Sequence, residues 1–561
     1  MLKRIKKLLS ENVQPVIAVI VILSVAGIGI YTLTGSHATT PYASIEAPNG
    51  TLSGGSCAQA NSSATDGSYV KFGDCTITGD FFTPTDLYVA ADTAGEIDLS
   101  WRPSESSSIA SYTIYRDNNV IATVSGSNNT YTDSGVTPGA VYRYSLTALN
   151  NQNVTSGMSN IVSITAVAPQ IGGTNLVTVP ASFDNMSIPS DCSADVTVPL
   201  TDFILKQKSN SIVQFAAKGC YEVDGTIFVA GKTNFTIDGN GASFKTSTTN
   251  SAADAANTTY ADNPTFKLDV SGWPRTRAMW MVITGDNTVI KNLNIVGPNN
   301  PNVYDPDLEA QAGIYLQGAV NCLVENNTIR YVYGDGIGME VAYESANLAP
   351  SNDTVANNHI NYIGRQGISV TAGSNLIISN NSIYNTPRSI FDVEPDGPLT
   401  LDNIQLLDNV VGGARLSFFA DEGDINANIS NVTVAGNTIN GMVMNIGASP
   451  QGTVSPKRTN VSFLNNNDPD YVAGTPYGFM LFNGYSNLRI IGNFQQVASN
   501  RTGGAVTIDN SQNVTLQYNE FSGAYNQSTN APNVYQGSAI TGVSSCGNLI
   551  NVTNARIDGK C

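Results

Sequence analysis

Short runs of alternating apolar and polar residues recur along the C-terminal two thirds of the chain, and each run begins with asparagine. The most regular runs begin 28, 28, 29, 27 and 26 residues apart, at Asn375, Asn403, Asn431, Asn460, Asn487 and Asn513. A near-constant period of short strands separated by Gly and Asn turns predicts a solenoid. Alternation points one set of side chains inward and the other outward. Because asparagine tolerates a left-handed backbone, we expect the turn asparagines to stack between coils as an internal amide ladder.

Residues 83–167 carry a second pattern of short alternating strands, spaced as in a β-sandwich. The predicted strands cover residues 96–101, 111–116 and 142–147. They resemble a fibronectin type III domain, in which Trp101 would be the core tryptophan and Tyr142 or Tyr144 the tyrosine corner. The resemblance implies a spacer, although surface proteins also use this domain for adhesion.

The N-terminus predicts export through a membrane. Lys3, Arg4, Lys6 and Lys7 precede an uncharged apolar run from Val16 to Leu33, and a spanning helix needs about 17–25 apolar residues. We predict a cytoplasmic basic flank and an uncleaved transmembrane anchor over residues 1–36. Cleavage between Ser36 and Thr40 is the alternative. Either outcome places the residues after about 40 outside the cytoplasm, because the positive flank stays inside.

Composition narrows the possible partners and chemistries. Charged residues make up 13% of the 561 residues, and the net charge is −17 with a pI near 4.5. Such a chain repels nucleic acid and, on average, other acidic polymers. His37 and His359 are the two histidines of the sequence, so zinc chemistry and a Ser-His-Asp triad are disfavoured. No spacing of Cys and His residues predicts a metal site.

The order of the seven cysteines suggests three local disulfides. The predicted pairs are Cys57 with Cys75, Cys192 with Cys220, and Cys546 with Cys561. Each bridge would contribute about 3 kcal/mol in an oxidising exterior, although the sequence does not determine connectivity. Cys322 occupies an apolar strand position, which predicts a buried free thiol.

Further resemblances complete an all-β architecture. Residues 190–561 resemble the pectate-lyase-like right-handed parallel β-helix superfamily, on the repeated asparagine-led strands. Residues 37–82 resemble the opening strands of a β-sandwich carbohydrate-binding module, and we interpret them as a disulfide-pinned remnant or spacer. Residues 168–189, which include Gly172 and Gly173, predict a linker. The expected fold is therefore a right-handed parallel β-helix after a fibronectin type III β-sandwich, with an N-terminal transmembrane helix.

Charged residues are scarce along the repeats but cluster between residues 333 and 422. Aligning Ile337, Ile368 and Phe391 as inward residues stacks two outward columns, Gly338 with Ser369 and Asp392, and Glu340 with Thr371 and Glu394. Arg365 and Arg388 stack at the strand entrance, and Arg415, Asp421 and Glu422 follow. We expect exposed carboxylates at Asp392 and Glu394, because a one-residue slip would bury two charges. The catalytic candidates are Asp392, Glu394, Glu340, Arg365 and Arg388, and the substrate-binding candidates are Asp335, Gln366 and Tyr333.

The superfamily resemblance implies a polysaccharide lying along an exposed strand face. Asp392 and Glu394 would project about 6.5–7 Å apart, and inverting glycosidases use carboxyl separations of about 6.5–9.5 Å. Alternatively, Arg365 or Arg388 neutralises a uronate while a carboxylate pair holds Ca²⁺, which would be lyase chemistry. A third reading is that the arginines simply pin the coils. The paired-Asp and Gly-His-Gly signatures of polygalacturonases and the Asp-Pro-His signature of alginate epimerases are absent.

Aromatic residues near the same coils have two interpretations. They either stack on sugar rings or are buried under the inserted loop 245–280, and they are Trp273, Trp280, Tyr304, Tyr315, Tyr331 and Tyr333. The leading hypothesis is a membrane-anchored extracellular protein that binds polysaccharide or cell-surface glycan and cleaves it as a lyase or an inverting hydrolase. The alternative is a non-catalytic adhesin or glycan-binding stalk. An open groove at the charged cluster would favour the enzyme, and a cluster locked under loops would favour the alternative.

Overall fold

The computed structural model describes residues 56–60, 68–72 and 84–556, apart from internal segments. These segments are residues 94, 105–108, 138–139, 160, 167–171, 248–278, 301–302, 343–347, 396–397, 415, 422–423, 425–426, 441–444, 447–456, 473–479, 498–505, 523–534, 537–538 and 551–554. The chain divides into two compact units, Met1–Ile77 and Thr78–Cys561. In the first unit, strands Ser56–Ala60 and Ser68–Phe72 pair antiparallel.

Two N-terminal predictions fall outside the described residues. The predicted membrane anchor, residues 16–33, is one of them, and the predicted bridge from Cys57 to Cys75 is the other, because Cys75 is not described. Within the part of the chain that the structure describes, no helix is both long and apolar enough to cross a membrane.

The second unit begins with an antiparallel β-sandwich, as the strand spacing predicts. One sheet contains Thr85–Thr93, Glu96–Arg102 and Thr130–Asp133, and the other contains, in spatial order, Asn119–Ser125, Ile109–Arg116, Val141–Asn150 and Val162–Thr165. Alternate residues of these strands fill the space between the sheets. Trp101 is buried there and meets the Tyr112 ring edge-on, at 5.4 Å between centroids, so its predicted core position is confirmed.

The tyrosine corner of the sandwich is Tyr142. Its hydroxyl accepts a hydrogen bond from the backbone N–H of Thr137 at 2.7 Å, which is the upstream contact that defines this feature. Tyr144 has another role, because its hydroxyl donates at 2.8 Å to Asp133, which also pairs with Arg116.

The rest of the second unit is a solenoid of three long sheets, in which successive strands pair parallel. Sheet I has 13 described strands: Asn175–Thr178, Ser211–Gln214, Thr233–Asp238, Asp286–Lys291, Leu323–Glu325, Thr354–Ala356, Gly373–Ser379, Thr400–Leu407, Asn428–Ala435, Arg458–Leu464, Tyr485–Ile491, Gln512–Gln517 and Thr541–Cys546. Sheet II has 14: Asp191–Asp195, Cys220–Glu222, Ser243–Lys245, Asn294–Val296, Thr328–Arg330, His359–Asn361, Ser382–Tyr384, Val410–Gly412, Thr438–Asn440, Asn467–Val472, Phe494–Val497, Glu520–Ser522, Leu549–Ile550 and the antiparallel Ala555–Arg556. Sheet III has 11: Ile227–Ala230, Trp280–Ile283, Ile314–Gln317, Ile337–Glu340, Ile368–Val370, Phe391–Val393, Phe419–Asp421, Asn445–Ile446, Met480–Asn483, Val506–Asp509 and Tyr535–Gln536.

The interior of the solenoid is one apolar core that all three sheets enclose. In sheet I, the inward residues of successive strands stand in register as Ile290, Val324, Val355, Ile378, Leu406, Val434, Phe463, Ile490 and Leu516. Each is at most 1% exposed. The alternation of apolar and polar residues therefore directs these side chains inward, as predicted. A shift of one residue would turn the whole column outward.

Two asparagine ladders run along the solenoid. In the inner ladder, each buried side-chain amide donates to the next at 2.8–3.0 Å, through Asn327, Asn358, Asn381, Asn409, Asn437, Asn466, Asn493, Asn519 and Asn548. The outer ladder leads the strands of sheet I, and its residues have positive φ, such as 54° at Asn375 and 56° at Asn487. The predicted internal amide ladder is confirmed. The left-handed backbone, however, is found at the asparagines of the outer ladder and at the residues that immediately precede the asparagines of the inner ladder.

A cap closes the N-terminal end of the solenoid. Helix α1, Thr197–Lys206, buries Leu200, Phe203 and Ile204 against the first coils. The predicted disulfide between Cys192 and Cys220 is present beside it. The predicted linker, residues 168–189, instead contributes Asn175–Thr178 to sheet I and a hairpin, Ser182–Phe183 with Met186–Ser187. Apolar side chains within this segment pack against the core. The prediction of a linker rested on the glycines at its start and did not take these side chains into account.

The other cysteines agree with the predictions as far as the structure describes them. Cys322 is a buried free thiol, as its apolar strand position predicts. Cys546 is disulfide-bonded, and its predicted partner, Cys561, lies outside the described residues.

The sandwich packs on the outer face of sheet I. Tyr88 contacts an apolar column, which we call the docking column, formed by Leu407, Ala435, Leu464 and Ile491 on neighbouring strands. The Arg102 guanidinium carbon also lies 3.8 Å from the centroid of the Tyr518 ring. An outward column that faced water would normally be polar, so this apolar column indicates a face that the fold covers.

Candidate functional site

Sheet III arranges the predicted site residues in the expected columns. Ile337, Ile368 and Phe391 stand in register and belong to the apolar core. Gly338, Ser369 and Asp392 form the outward column beside them. The Tyr315 ring lies directly over Gly338, where a Cβ atom would come 2.0 Å from Tyr315 Cε1. Glycine is therefore required at position 338 for this aromatic ring to reach the sheet.

One guanidinium joins carboxylates from several coils. Arg365 Nη1 lies 2.9 Å from Asp335 Oδ2, Nη2 lies 2.7 Å from Glu394 Oε2, and Nε lies 3.5 Å from Glu309 Oε2. We call Glu309, Asp335, Arg365 and Glu394 the Arg365 cluster. Burial lowers the pKa of Arg365, but the charges of Asp335 and Glu394 outweigh it, and the pKa is raised. The arginine therefore keeps its charge while it links these coils.

The Arg365 cluster is graded from buried to exposed. The side-chain exposure is 0% at Asp335, 13% at Arg365, 29% at Glu394 and 45% at Glu309. Asp335 accepts further hydrogen bonds from the Gln366 backbone at 3.0 Å and from the Ser369 hydroxyl at 2.7 Å. Burial nevertheless raises the pKa of Asp335 above its usual value. Two carboxylates of the cluster can therefore meet a ligand, and the third anchors the arginine from below.

Three predicted site residues are less accessible than expected. We expected an exposed carboxylate at Asp392, but its side chain is fully buried, as are Asp335 and Gln366. Outward residues on neighbouring coils are about 4.8 Å apart, which is close enough for the longer side chains of Arg365 and Glu394 to meet at 2.7 Å above the sheet. Direct contact between a polysaccharide and Asp392, Asp335 or Gln366 is therefore ruled out in this conformation.

The remaining predicted residues flank the Arg365 cluster. Glu340 is half-buried and accepts a hydrogen bond from Gln317 Nε2 at 2.5 Å. The backbone N–H of Thr371 donates to Met339, and that of Glu394 donates to Val370. These hydrogen bonds align the outward column of Glu340, Thr371 and Glu394. Tyr333 is half-buried beside a small cavity of about 20 Å³. Glu340 thus lies two coils from Glu394 along one outward column.

Arg388 and an inserted segment form the rim of the site. The Arg388 backbone N–H donates to the Arg365 carbonyl at 3.2 Å, so the two arginines lie in adjacent coils as expected. The Arg388 guanidinium carbon is 5.8 Å from the Tyr304 ring centroid, and the Tyr304 hydroxyl donates to Glu309 Oε2 at 3.0 Å. Sequence reasoning missed Glu309, although a signal existed. The interval from Asn287 to Asn321 is longer than the 26–29 residues of the later repeats, and such an excess marks an inserted loop.

The aromatic candidates divide between core and surface. Trp280 is fully buried and packs edge-on against Phe244 at 5.1 Å. It is therefore buried and not on the surface, and its burial is in the solenoid core. Tyr331 stacks on Tyr362 at 5.5 Å between centroids, and Tyr362 is 41% exposed. Trp273 lies outside the described residues.

A second arginine cluster lies farther along the solenoid. Arg458 donates to both oxygens of Asp421 at 2.7 and 2.8 Å, and the Tyr485 hydroxyl donates to Asp421 Oδ2 at 2.9 Å. We call these three residues the Arg458 cluster. Its members are at most 2% exposed, so Asp421, which the sequence grouped with the site, belongs to the interior. Arg415 and Glu422 lie outside the described residues.

Negative charge dominates the candidate site. Five carboxylates, those of Glu309, Asp335, Glu340, Asp392 and Glu394, lie in or beside it, with Arg365 and Arg388 as the cations. The described part of the chain contains no group of three or more His, Cys, Asp or Glu side chains arranged to hold a metal ion. The site is therefore suited to proton transfer and hydrogen bonding more than to attracting an anion.

Family models match both large domains. A model described as a right handed beta helix region matches residues 209–406 and 281–494. A fibronectin type III domain model matches residues 82–165. No curated protein matches the chain.

The solved structures that the chain matches have low sequence identity. A Family 28 exopolygalacturonase from Yersinia enterocolitica is 13% identical, with a TM-score of 0.42, and the match covers 85% of this chain and 100% of that one. The catalytic domain of a GH87 alpha-1,3-glucanase is 14% identical, with a TM-score of 0.33 and coverage of 83% and 90%. An Fn3-like protein from Clostridium thermocellum is 26% identical, with a TM-score of 0.14 and coverage of 16% and 95%.

Proposed function

Because the chain belongs to the right-handed β-helix family, we propose that it is a membrane-anchored extracellular protein that binds polysaccharide on sheet III and hydrolyses it at the Arg365 cluster. The observation that carries this proposal is the graded exposure of that cluster. Glu309 and Glu394 remain accessible while one buried acid, Asp335, holds the arginine between them. A purely structural ion pair has no need for two further carboxylates at the surface.

The extracellular part of the proposal rests on the N-terminus and on the disulfides. Lys3 to Lys7 and the apolar run from Val16 to Leu33 have the charge order of an anchor with its N-terminus inside. The disulfide between Cys192 and Cys220 supports the same location, because such bonds persist in oxidising exteriors. Membrane fractionation with external protease tests this part. Resistance of residues 84–556 in intact cells would contradict it.

The proposed reaction is inverting hydrolysis by Glu309 and Glu394. Their Oε2 atoms contact one guanidinium at 3.5 and 2.7 Å, so these oxygens are at most about 9 Å apart. This bound meets the upper limit of about 9.5 Å for inverting pairs, and it also includes the separation of about 5–5.5 Å in retaining pairs. One carboxylic acid would protonate the leaving oxygen as the glycosidic bond breaks. The other carboxylate would take a proton from the water that attacks the sugar. Arg365 would position both side chains.

The charge balance favours a neutral polysaccharide over a uronate. Lyase chemistry needs a cation that is available to a substrate carboxylate. Arg365 is already engaged by Asp335, Glu309 and Glu394. Arg388 lies against the Tyr304 ring beside Glu309, and the surrounding acids would repel an acidic polymer. Hydrolysis of a neutral glycan is therefore the better-supported chemistry, and eliminative cleavage with Ca²⁺ is the weaker one.

A non-catalytic adhesin is the second candidate function. It is favoured by the fact that Arg365 ties several coils together, which is what a residue that pins the stack does. The two functions share the same glycan-binding surface and differ in whether bonds break.

A screen of the full-length chain, in detergent, against neutral and acidic polysaccharides tests the proposal. Hydrolysis predicts new reducing ends on a neutral polymer without absorbance from unsaturated uronates. Reducing ends accompanied by that absorbance would establish a lyase. Retardation in affinity gels without any product would identify the adhesin. The absence of both binding and cleavage would contradict the proposed function.

A further inference from the structure

A cleft of about 510 Å³ lies between the sandwich and the outer face of sheet I. None of its lining residues belongs to the Arg365 cluster, which lies at sheet III. The volume falls within the range of about 300–1,000 Å³ that small-molecule sites occupy. We propose that this cleft is a second glycan site, which takes a short neutral oligosaccharide.

The floor of the cleft is polar and regular. Gln405, Thr433, Ser462 and Arg489 stand in register on four neighbouring strands and line the cleft. These four residues form the outward column next to the docking column. The apolar contact of Tyr88 with the docking column therefore lies beside this polar column. The floor therefore carries hydroxyl, amide and guanidinium groups, one per coil. Thr433 and Arg489 are half-buried, while Gln405 and Ser462 are buried.

The outer asparagine ladder forms one edge of this floor. Asn460 Nδ2 donates to Asn431 Oδ1 at 2.9 Å, and Asn487 Nδ2 donates to Asn460 Oδ1 at 2.9 Å. A side-chain amide has two N–H donors and two lone pairs, so each rung keeps donor and acceptor capacity after the ladder is formed. Asn431, Asn460 and Asn487 are all exposed. The edge thus offers paired donors and acceptors at each coil.

The roof of the cleft is apolar and comes from the sandwich. The residues that line it are Leu87, Tyr88, Val89, Ile161, Val162 and Ile164. The side chains of Leu87, Val89 and Ile164 are buried in the sandwich core, so the accessible apolar surface comes from Ile161 and, in part, Val162 and Tyr88. Ile161 is 66% exposed, so its apolar surface is accessible to a ligand. The cleft therefore has one apolar wall and one wall rich in hydrogen-bonding groups.

A neutral oligosaccharide fits this combination of walls. A sugar ring has C–H faces that pack on apolar side chains and hydroxyls around its edge that bond to amides and hydroxyls. The charged lining residues, Asp402 and Arg489, balance each other, so no net charge selects an acidic ligand. The ladder from Asn375 to Asn487 spans four coil steps, about 19 Å, which suits a short oligosaccharide. A peptide would find side chains on the floor, not the strand edge that β-augmentation requires.

Isothermal titration of the full-length chain with four tetrasaccharides tests the proposal. The probes are maltotetraose, cellotetraose, laminaritetraose and mannotetraose, with tetragalacturonic acid as the charged comparison. We expect at least one neutral probe to bind. Thr433→Trp should weaken the affinity for that probe by at least about tenfold, because the larger side chain fills the cleft. Thr433→Val, which keeps the volume, should weaken it by about threefold through loss of one hydrogen bond.

Thr515 provides the matched control. It continues the same outward column beyond Arg489 and is half-buried like Thr433, but it does not line the cleft. Thr515→Trp should leave the affinity unchanged. All titrations use the Glu394→Gln background, in which the proposed hydrolytic site does not consume the probe. Failure of every neutral probe to bind, preference for the acidic probe, or equal weakening by both tryptophans would overturn the proposal.

Discussion

The two arginine clusters of the solenoid contain similar groups in opposite surroundings. In the Arg458 cluster, the guanidinium, its carboxylate and a tyrosine hydroxyl are all at most 2% exposed. In the Arg365 cluster, side-chain exposure rises from 0% at Asp335 to 45% at Glu309. The closed cluster can only stabilise the fold, whereas the open one stabilises the coils and also presents carboxylates. The proposed function therefore rests on the gradient of exposure and not on the presence of an ion pair.

Replacing each arginine tests this contrast most strongly. Arg458→Met should lower the free energy of unfolding by about 3–5 kcal/mol, because it leaves the Asp421 carboxylate buried without its cation. Arg365→Met should lower it less, because Glu309 and Glu394 can return to water although Asp335 stays buried. Denaturant unfolding of the two variants measures the difference. Equal losses would mean that the Arg365 cluster is as structural as the closed one.

Alternation along the strands was sufficient to predict the columns of sheet III. Ile337, Ile368 and Phe391 face inward because a buried face fixes the register. The same reasoning placed Asp392 outward but could not give its exposure. Exposure depends on how long side chains from adjacent coils meet above a short one, and no pattern within a single strand contains that information. Glu309 was missed for a related reason, because it lies in an insertion outside the repeat.

The packing of the sandwich on sheet I left a signal in the sequence that strand alternation alone does not explain. Two apolar residues end each of four successive strands, as in Leu406 with Leu407 and Ile490 with Ile491. The first of each pair faces the core and the second belongs to the docking column. A repeated break of this kind indicates a sheet covered on both faces. It does not identify which domain covers the sheet.

A buried acid without an arginine extends the comparison. Asp353 is 1% exposed, its Oδ1 accepts the Cys322 N–H at 2.7 Å, and its Oδ2 has no hydrogen-bond partner among the described residues. Burial raises the pKa of Asp353 well above its ordinary value. Its contribution to stability is therefore greatest below about pH 4 and is lost as the pH rises toward the raised pKa.

Asp353→Asn should consequently stabilise the chain at neutral pH. We expect a gain of about 1–3 kcal/mol at pH 7, because no charge then needs to be buried or neutralised, and a smaller gain near pH 4. Denaturant unfolding at the two pH values measures it. A gain that does not change with pH would show that ionisation of Asp353 is not the cause.

A smaller effect is expected where the sandwich meets sheet I. Burial raises the pKa of Asp408 to about 6. Burial also raises the pKa of Tyr88, and the charge of Asp408 adds to that increase. The contribution of Asp408 to the free energy of unfolding should be fully present below about pH 4 and should be lost as the pH rises through 6. Because the group is partly solvated, we expect a change within about 1 kcal/mol. The hydrogen-exchange protection factors of amides in the docking column, which are corrected for the intrinsic pH dependence of exchange, should fall over this range, and Asp408→Asn should remove that fall.

The rate and stability of Glu394→Gln, measured together, test the central claim most directly. Glu325→Gln is the matched control, because Glu325 is a half-buried glutamate of sheet I outside the cluster. On a polysaccharide that the wild-type chain cleaves, Glu394→Gln should slow reducing-end release by at least about 100-fold, as expected for loss of a general acid or base. Its unfolding free energy should stay within about 1 kcal/mol of the wild type, and Glu325→Gln should change neither quantity. An unchanged rate for Glu394→Gln, or a loss of activity matched by a large loss of stability, would contradict the account.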